Sequence, residues 1–149
     1  FYHHTEIGYN YRMSNVLAAI GVGQMEAIED RIKRTREVNQ IYRKEVGDLF
    51  YSFQEERETD RSNMWLTCAL MKGEDKPEDL IKHLAEDNIE ARRLWKPMHE
   101  QPVMKGYTKY INGNSSLLFL QGICLPSGSD LTNKDMKRII KSIKTFFKK

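Results

Sequence analysis

The sequence predicts an α/β fold, built as an α+β two-layer domain with helices on one face of a small sheet of three or four strands. Two observations predict it. Stretches with apolar residues at steps of three and four alternate with short apolar runs that are typical of strands. The chain has 149 residues, which suits one domain with a long extension. Elements in this order pack as layers around one core.

The composition excludes several classes of protein. Apolar residues make up 40% of the chain, and no apolar run approaches the roughly 18 residues that span a membrane. Six Phe, seven Tyr and two Trp supply enough aromatic surface for a core, so a disordered chain is excluded. The net charge is only +3 and its signs alternate, so nucleic-acid binding is not indicated.

One long helix is predicted from Ser14 or Asn15 to about Leu49. Apolar or small residues recur along it at steps of three and four, and Ser14 suits the N-cap. Residues 16–23 carry almost no charge, so we expect this part to be buried on all sides. The second half, residues 26–45, is amphipathic, so the helix is predicted to connect two domains.

The remaining elements are predicted in the order strand, helix, strand, loop, short helix, strand and helix. Strands are expected at 64–71, 89–94 and 122–125. Helices are expected from Pro77 to about Asn88, over 114–121, and from a capping box at residues 132–135. The last of these helices is predicted to bury an apolar stripe against the sheet.

Two groups of metal-binding residue types do not indicate a metal site. Cys68 and Cys124 lie in apolar strand-like runs, so we expect small buried hydrophobes in a reduced, cytoplasmic setting, without a disulfide framework or zinc site. His3, His4 and Glu6 match only half of a zinc deaminase signature, because the second half, with its paired cysteines, is absent.

A first candidate site lies just before the long helix. In an extended backbone, Asn10 and Arg12 would lie on one side of the chain. An amide and a guanidinium that face the same way suit a phosphate or a diphosphate. A capping or interface network fits the same residues equally well.

A second candidate site lies in the loop after the predicted strand at 89–94. Arg92, Arg93, Trp95, Lys96 and His99 fall within eight residues. Cations beside an aromatic face suit an anionic, partly flat ligand. From composition alone, an ordinary basic surface loop is the simpler interpretation.

Three segments in the correct order resemble the DegT/DnrJ/EryC1/StrS family of pyridoxal-phosphate-dependent sugar aminotransferases of fold type I. The first is His4–Asn15 with 18–21 and 24–26. The second, residues 89–103, resembles the branch that acts on UDP-linked 4-keto sugars, which includes UDP-N-acetylbacillosamine transaminases. The third, from Leu125 through the closing helix, matches the C-terminal end of the family. Arg93 departs from the pattern, which would have a proline there.

The resemblance implies a place for the chain within a larger enzyme. It would be the C-terminal small domain, with a long connector helix and a mainly antiparallel sheet covered by helices. Residues 1–13 would enter from a pyridoxal-phosphate-binding domain, 14–49 would form the interdomain helix and 50–149 the C-terminal domain. The intact bacterial enzyme would be a cytoplasmic homodimer that neither binds nucleic acid nor enters a membrane.

The resemblance also implies an activity and the residues that serve it. An amino group, from glutamate, would pass to a nucleotide-linked keto-deoxysugar in surface polysaccharide or glycan synthesis. Asn10 would bind the cofactor phosphate of the other subunit, and Arg12 would approach the nucleotide diphosphate. Arg92, Trp95 and His99 would line the sugar-nucleotide site.

The catalytic residue is expected outside this chain. The Schiff-base lysine of the family is expected upstream of residue 1, so the chain alone should be inactive and bind no pyridoxal phosphate. Without its neighbouring domain, the apolar helix start should cause self-association. The alternative is a regulatory or DNA-binding module of the same family, since the last helix is basic; a solvated helix face explains that charge more simply.

Overall fold

A computed structural model describes residues 3–148 of the chain. It confirms the predicted α/β two-layer class. Within those residues the helices and strands are, in chain order, α1 (Asn15–Met25), α2 (Ile28–Val46), β1 (Ser52–Phe53), β2 (Thr67–Leu70), α3 (Pro77–Glu86), β3 (Arg92–Arg93), α4 (Asn114–Gln121), β4 (Gly122–Leu125) and α5 (Asn133–Phe146). None of the helices in this described part is long and apolar enough to cross a membrane.

The four strands form one antiparallel sheet in the order β1-β2-β4-β3. The register pairs Ala69 with Ile123 on β2 and β4, and Arg93 with Ile123 on β3 and β4. Because side chains alternate between the two faces of a strand, these three residues lie on the same face. Cys68, Cys124 and Arg92 therefore lie together on the opposite one.

The core lies between one face of the sheet and the helices α2, α3 and α5. Sheet residues Ala69, Ile123 and Leu125 belong to it. The helices contribute an apolar stripe each, namely Val38, Tyr42 and Val46 from α2, Leu80 and Leu84 from α3, and Met136, Ile139, Ile140, Ile143 and Phe146 from α5. Burial of each large side chain stabilises the fold by roughly 1.5–3 kcal/mol. The other face, which these helices do not cover, is called the open face below.

Local signals in the sequence fix the ends of two core helices as predicted. The Thr132 hydroxyl accepts a hydrogen bond from the Asp135 backbone N–H at 3.2 Å, and the Asp135 carboxylate accepts one from the Thr132 N–H at 3.0 Å. This capping box starts α5. Pro77 is the first residue of α3, and Asn88, just beyond its end, adopts the left-handed conformation with φ 54°.

The single helix predicted over 14–49 is wrong, because the helix divides at Glu26 and Ala27. Ala27 leaves helical geometry, with φ −109° and ψ 8°, and α2 begins after it. The N-cap was predicted correctly, since the Ser14 hydroxyl accepts a hydrogen bond from the Leu17 N–H at 3.3 Å. Two shorter helices can change direction where one could not.

The expected burial of the helix start does not occur within this chain. Every residue of α1 is exposed, including Val16 at 64% and Ile20 at 56%. Apart from the adjacent residues and the backbone of α1 itself, no described atom lies within 4 Å of a Cβ atom added at Gly21 or Gly23. The sequence property that predicted burial is real, since the segment is apolar all round, but the described residues supply no surface to cover it.

Two strands are shorter than predicted. Met64 has a left-handed backbone with φ 48°, so the run predicted from 64 becomes a strand only at Thr67. The strand predicted over 89–94 is reduced to β3, although the Leu94 N–H still donates to the Gly122 carbonyl at 3.3 Å. Left-handed geometry interrupts the extended backbone that a ladder requires.

Candidate functional site

Asn10 and Arg12 are held in a tight turn rather than in the extended backbone that was predicted. The Asn10 side-chain oxygen accepts a hydrogen bond from the Arg12 backbone N–H at 2.9 Å. Arg12 is left-handed, with φ 61°. Such turns form because the short Asn side chain reaches the backbone two residues on. Both residues are exposed, so the amide nitrogen and the guanidinium remain the donors of this segment.

The segment that carries Asn10 is joined to the second candidate loop through His4. The His4 N–H donates to the side-chain oxygen of Gln101 at 3.0 Å, and the His4 carbonyl accepts from the Val103 N–H at 3.1 Å. Gln101 is only 2% exposed, and its amide nitrogen lies 3.5 Å from the Lys96 carbonyl. Nothing in residue type or spacing identified Gln101 as the residue that ties these two segments together.

Arg92 lies on the open face of the sheet. It stands opposite Cys124 in the ladder, and its side chain is 66% exposed. The guanidinium pairs with Glu90, two residues earlier in the chain, and its Nε donates to the Glu90 carboxylate at 2.8 Å. An exposed pair of this kind is held weakly, so the guanidinium can exchange Glu90 for an anionic ligand at little cost.

Trp95 forms part of an exposed aromatic pair with Trp65. The two ring centres lie 6.4 Å apart with a tilt of 38°. Trp95 is 47% exposed and Trp65 is 66% exposed. Trp65 was predicted to lie in a strand and was not among the candidate site residues. The pair could be recognised only once the segment just before β2 and the loop after β3 were known to be neighbours.

His99 is the most enclosed of the predicted site residues. Its side chain is 19% exposed and lies in the short turn Met98–Glu100. Its Nε2 is 3.3 Å from the Ser116 hydroxyl, which α4 supplies, and 3.7 Å from the Glu100 carboxylate. The Ser116 hydroxyl also donates to Glu100. These contacts orient the imidazole, so His99 can offer a fixed ring rather than a mobile one.

Arg93, where the resemblance would have a proline, points away from these residues. Its guanidinium lies 4.1 Å from the centre of the Phe119 ring and donates to the Phe119 carbonyl at 2.5 Å. It also forms an ion pair with Glu78 in the first turn of α3. Arg93 therefore joins β3 to α3 and α4 and has a structural role within the domain.

The described residues do not assemble a metal centre. Between residues 3 and 148 no group of three or more His, Cys, Asp or Glu side chains could hold a metal ion. His3, His4 and Glu6 are exposed at the start of that range. The predicted site residues offer nitrogen donors and aromatic rings, which suit an anionic organic ligand.

Comparisons with known proteins find a family profile and relatives that match most of this chain. Residues 1–144 match the sequence profile of the DegT/DnrJ/EryC1/StrS aminotransferase family. The chain is 39% identical to EpsN of Bacillus subtilis, which bears the name of a pyridoxal phosphate-dependent aminotransferase, over 98% of this chain and 39% of EpsN. It is 36% identical to GDP-perosamine synthase of Escherichia coli O157:H7, over 98% of this chain and 40% of that protein.

The fold also occurs in a larger solved structure. A DegT DnrJ EryC1 StrS aminotransferase from Brucella abortus superposes with a TM-score of 0.80 at 23% identity. The match covers 100% of this chain and 40% of that one. The chain thus spans about two fifths of the length of the relatives it matches.

Proposed function

Because this chain belongs to the DegT/DnrJ/EryC1/StrS aminotransferase family, we propose that it is the C-terminal part of an enzyme that aminates a nucleotide-linked keto-deoxysugar. Glutamate is the proposed amino donor, and pyridoxal phosphate the cofactor. The observation that carries the proposal is the family match over residues 1–144. It is supported by a 36% identical relative whose name, GDP-perosamine synthase, describes the synthesis of a nucleotide-linked amino sugar.

Asn10 fits the role of a donor to the cofactor phosphate. Its side-chain oxygen already accepts from the Arg12 N–H, so the amide nitrogen is the atom left to meet an anion. Asn10 is exposed, as a residue that reaches a second subunit must be. When bound, pyridoxal phosphate supplies an electron sink for amino transfer. The lysine that binds it would lie outside this chain, so we expect the chain alone to be inactive.

The cationic residues fit the diphosphate of a nucleotide sugar. Arg12 and Arg92 both carry exposed guanidinium groups, whose planar fork binds phosphate oxygens in pairs. The Arg92 guanidinium forms an ion pair with an exposed carboxylate, Glu90, which a diphosphate would displace. These contacts bind and orient the substrate; they do not move its protons.

The aromatic residues and His99 fit the flat and hydroxyl-rich parts of the same substrate. Trp95 and Trp65 offer exposed ring faces for a base or a sugar ring. His99, oriented by Ser116 and Glu100, offers a ring nitrogen to a sugar hydroxyl. Their apolar surfaces would also exclude water from that side of the substrate.

The proposed setting is the bacterial cytoplasm, in a homodimer that makes amino sugars for surface polysaccharide or glycan. Self-association is supported by the exposed apolar surface of α1 and of the segment before it. The DNA-binding alternative has less support, because Lys144 of α5 is paired with Glu45 and a solvated helix face explains the other lysines of this helix.

The test uses the full-length protein with pyridoxal phosphate, glutamate and either a UDP-linked or a GDP-linked 4-keto-6-deoxysugar. We expect cofactor absorbance and an amino sugar, with the preferred nucleotide read from the relative kcat/KM. Arg92→Ala should raise KM for the sugar nucleotide more than it lowers kcat. Arg57→Ala is the matched control, since Arg57 is 85% exposed and pairs locally with Asp60.

Three results would contradict parts of this proposal. Absence of both the cofactor absorbance and the amino sugar would refute the enzymatic proposal. Specific DNA binding at moderate salt, measured by gel shift, would favour the regulatory alternative. An equal rise in KM for the Arg92 and Arg57 variants would remove Arg92 from the proposed substrate site.

A further inference from the structure

The two cysteines, 56 positions apart in sequence, face each other across neighbouring strands. Cys68 on β2 is the register partner of Cys124 on β4, and their sulfur atoms lie 3.7 Å apart. Two separate buried thiols were expected from the sequence. Cys124 is buried, but Cys68 is only half-buried. The contact depends on strand register, which the spacing of the cysteines does not reveal.

The pair occupies a position that favours side-chain contact. The Met71 N–H donates to the Gln121 carbonyl at 2.9 Å, which marks 71 and 121 as a hydrogen-bonded pair of the antiparallel ladder. Such pairs alternate along the ladder with pairs that lack hydrogen bonds, so Cys68 and Cys124 form one of the latter. Side chains approach most closely at these positions, with Cα atoms about 4.5 Å apart.

That spacing is compatible with a disulfide. Bridged cysteines have Cα atoms about 4.4–6.8 Å apart and a sulfur–sulfur bond of about 2.0 Å. The sulfur atoms of Cys68 and Cys124, now 3.7 Å apart, can close the remaining distance by side-chain rotation. Cα atoms at a ladder position of this kind are separated by a distance within the range of bridged cysteines, so no large strand movement is required.

The two thiols are not equivalent. Cys68 lines a cleft of about 300 Å³ on the open face, together with residues that include Gln54, Leu94 and Leu118. The hydrogen bond between the thiols lowers the pKa of Cys68, and the same bond, with burial, raises the pKa of Cys124. The accessible sulfur is therefore also the better nucleophile.

We propose that Cys68 and Cys124 form an oxidisable dithiol that closes into an intrachain disulfide, with hydrogen peroxide as the oxidant. The Cys68 thiolate attacks one peroxide oxygen, the O–O bond breaks, and a sulfenic acid and hydroxide form. The Cys124 sulfur then attacks the Cys68 sulfur, the S–O bond breaks, and the disulfide forms. The protons of both thiols leave in two molecules of water, so two sulfur atoms are oxidised and one peroxide is reduced.

The bond would lie beside a residue of the proposed substrate site. Arg92 is the register partner of Cys124 on the other side of β4 and shares the open face with both sulfurs. Oxidation would link β2 to β4 covalently at a position adjacent to Arg92. The proposal does not depend on the proposed function, because it concerns only the chemistry of the two thiols.

The test uses the reduced 149-residue chain and hydrogen peroxide. We expect the two titratable thiols per chain to fall to none, with the loss of two hydrogen masses and a single cross-linked peptide that joins Cys68 to Cys124. The product should migrate as a monomer on a non-reducing gel, and dithiothreitol should restore both thiols.

Two variants test the order of attack. With Cys124→Ser we expect a sulfenic acid at Cys68 that dimedone traps. With Cys68→Ser we expect the remaining thiol, Cys124, to react at least about tenfold more slowly, because it is buried and its thiolate is disfavoured. If either variant fails to fold, the peptide map of the unaltered chain decides.

Other results would overturn the proposal. They are the survival of both thiols under conditions that oxidise free cysteine, disulfides only between chains, or sulfinic acid at Cys68 without a cross-link. Faster reaction of the Cys68→Ser variant than of the Cys124→Ser variant would refute the assigned roles of the two thiols.

Discussion

Adjacent arginines on β3 should have opposite roles, and this difference can be measured. Arg93 faces the helices, where it contacts Phe119 and Glu78. Arg92 faces the open side and is 66% exposed. We therefore expect Arg93→Ala to destabilise the fold, and Arg92→Ala to leave stability nearly unchanged while it weakens binding of a nucleotide sugar in the full-length protein.

The magnitude for Arg93 follows from its contacts. Stacking on Phe119 contributes about 0.5–2 kcal/mol, and the half-exposed pair with Glu78 contributes about 0.2–1 kcal/mol. The hydrogen bond to the Phe119 carbonyl adds about 1.5 kcal/mol. Its Nε is buried without a partner among the described residues, and its removal returns about 1 kcal/mol. The net loss is about 2 kcal/mol, or a fall in Tm of about 4–8 °C.

Urea unfolding, followed by tryptophan fluorescence and circular dichroism, measures the free energy of unfolding of the unaltered chain and of each arginine variant. For Arg92→Ala we expect a loss below about 1 kcal/mol, because its ion pair with Glu90 is exposed and screened. Glu78→Gln combined with Arg93→Ala should cost less than the sum of the two single changes. Equal losses for the two arginine variants would refute the assignment of opposite faces.

Three further changes test the acid response, the sheet and the apolar helix. Arg36 donates to both carboxylate oxygens of Glu56 at 2.9 Å and, with the Ser62 N–H, lowers its pKa from 4.5 to about 2. This pair therefore stabilises the fold above pH 4.5 and is lost as pH falls towards 2, so Glu56→Gln should flatten that part of the pH dependence of Tm. Gly122→Ala should cost about 1–3 kcal/mol in urea unfolding, since the added carbon would lie 2.1 Å from Leu94. Replacing Leu17 and Ile20 together by Ser should lower the light-scattering mass of the chain to that of a monomer, and an unchanged mass would contradict a role for α1 in self-association.

Elements with local signals were predicted well from the sequence. The capping box of Thr132 and Asp135, the proline that opens α3 and the left-handed Asn88 each depend on residues a few positions apart. The apolar stripe of α5 was also predicted, because it follows helical periodicity alone. Signals of this kind need no knowledge of the remainder of the fold.

Features that depend on distant segments could not be predicted. The contact of Cys68 with Cys124 requires the β2–β4 register, and the contact of Trp65 with Trp95 requires two loops to meet. Gln101 joins the first residues of the chain to a loop almost 100 positions away. The candidate site residues were selected from the sequence by their chemistry, and their roles remain predictions. Their neighbours in the fold are set by strand pairing and loop contacts, which the spacing of residues in the sequence does not reveal.

The register of β3 links the stability of the domain to the proposed binding surface. β3 has only two residues, and a slip by one position would exchange the faces of Arg92 and Arg93. The close approach of Leu94 to Gly122 opposes such a slip, because only a glycine leaves room for that side chain on β4. A change at Gly122 should therefore weaken the contacts of Arg93 with α3 and displace Arg92 from the open face together. Stability and nucleotide-sugar affinity should then fall in parallel in Gly122 variants, whereas they separate in the two arginine variants.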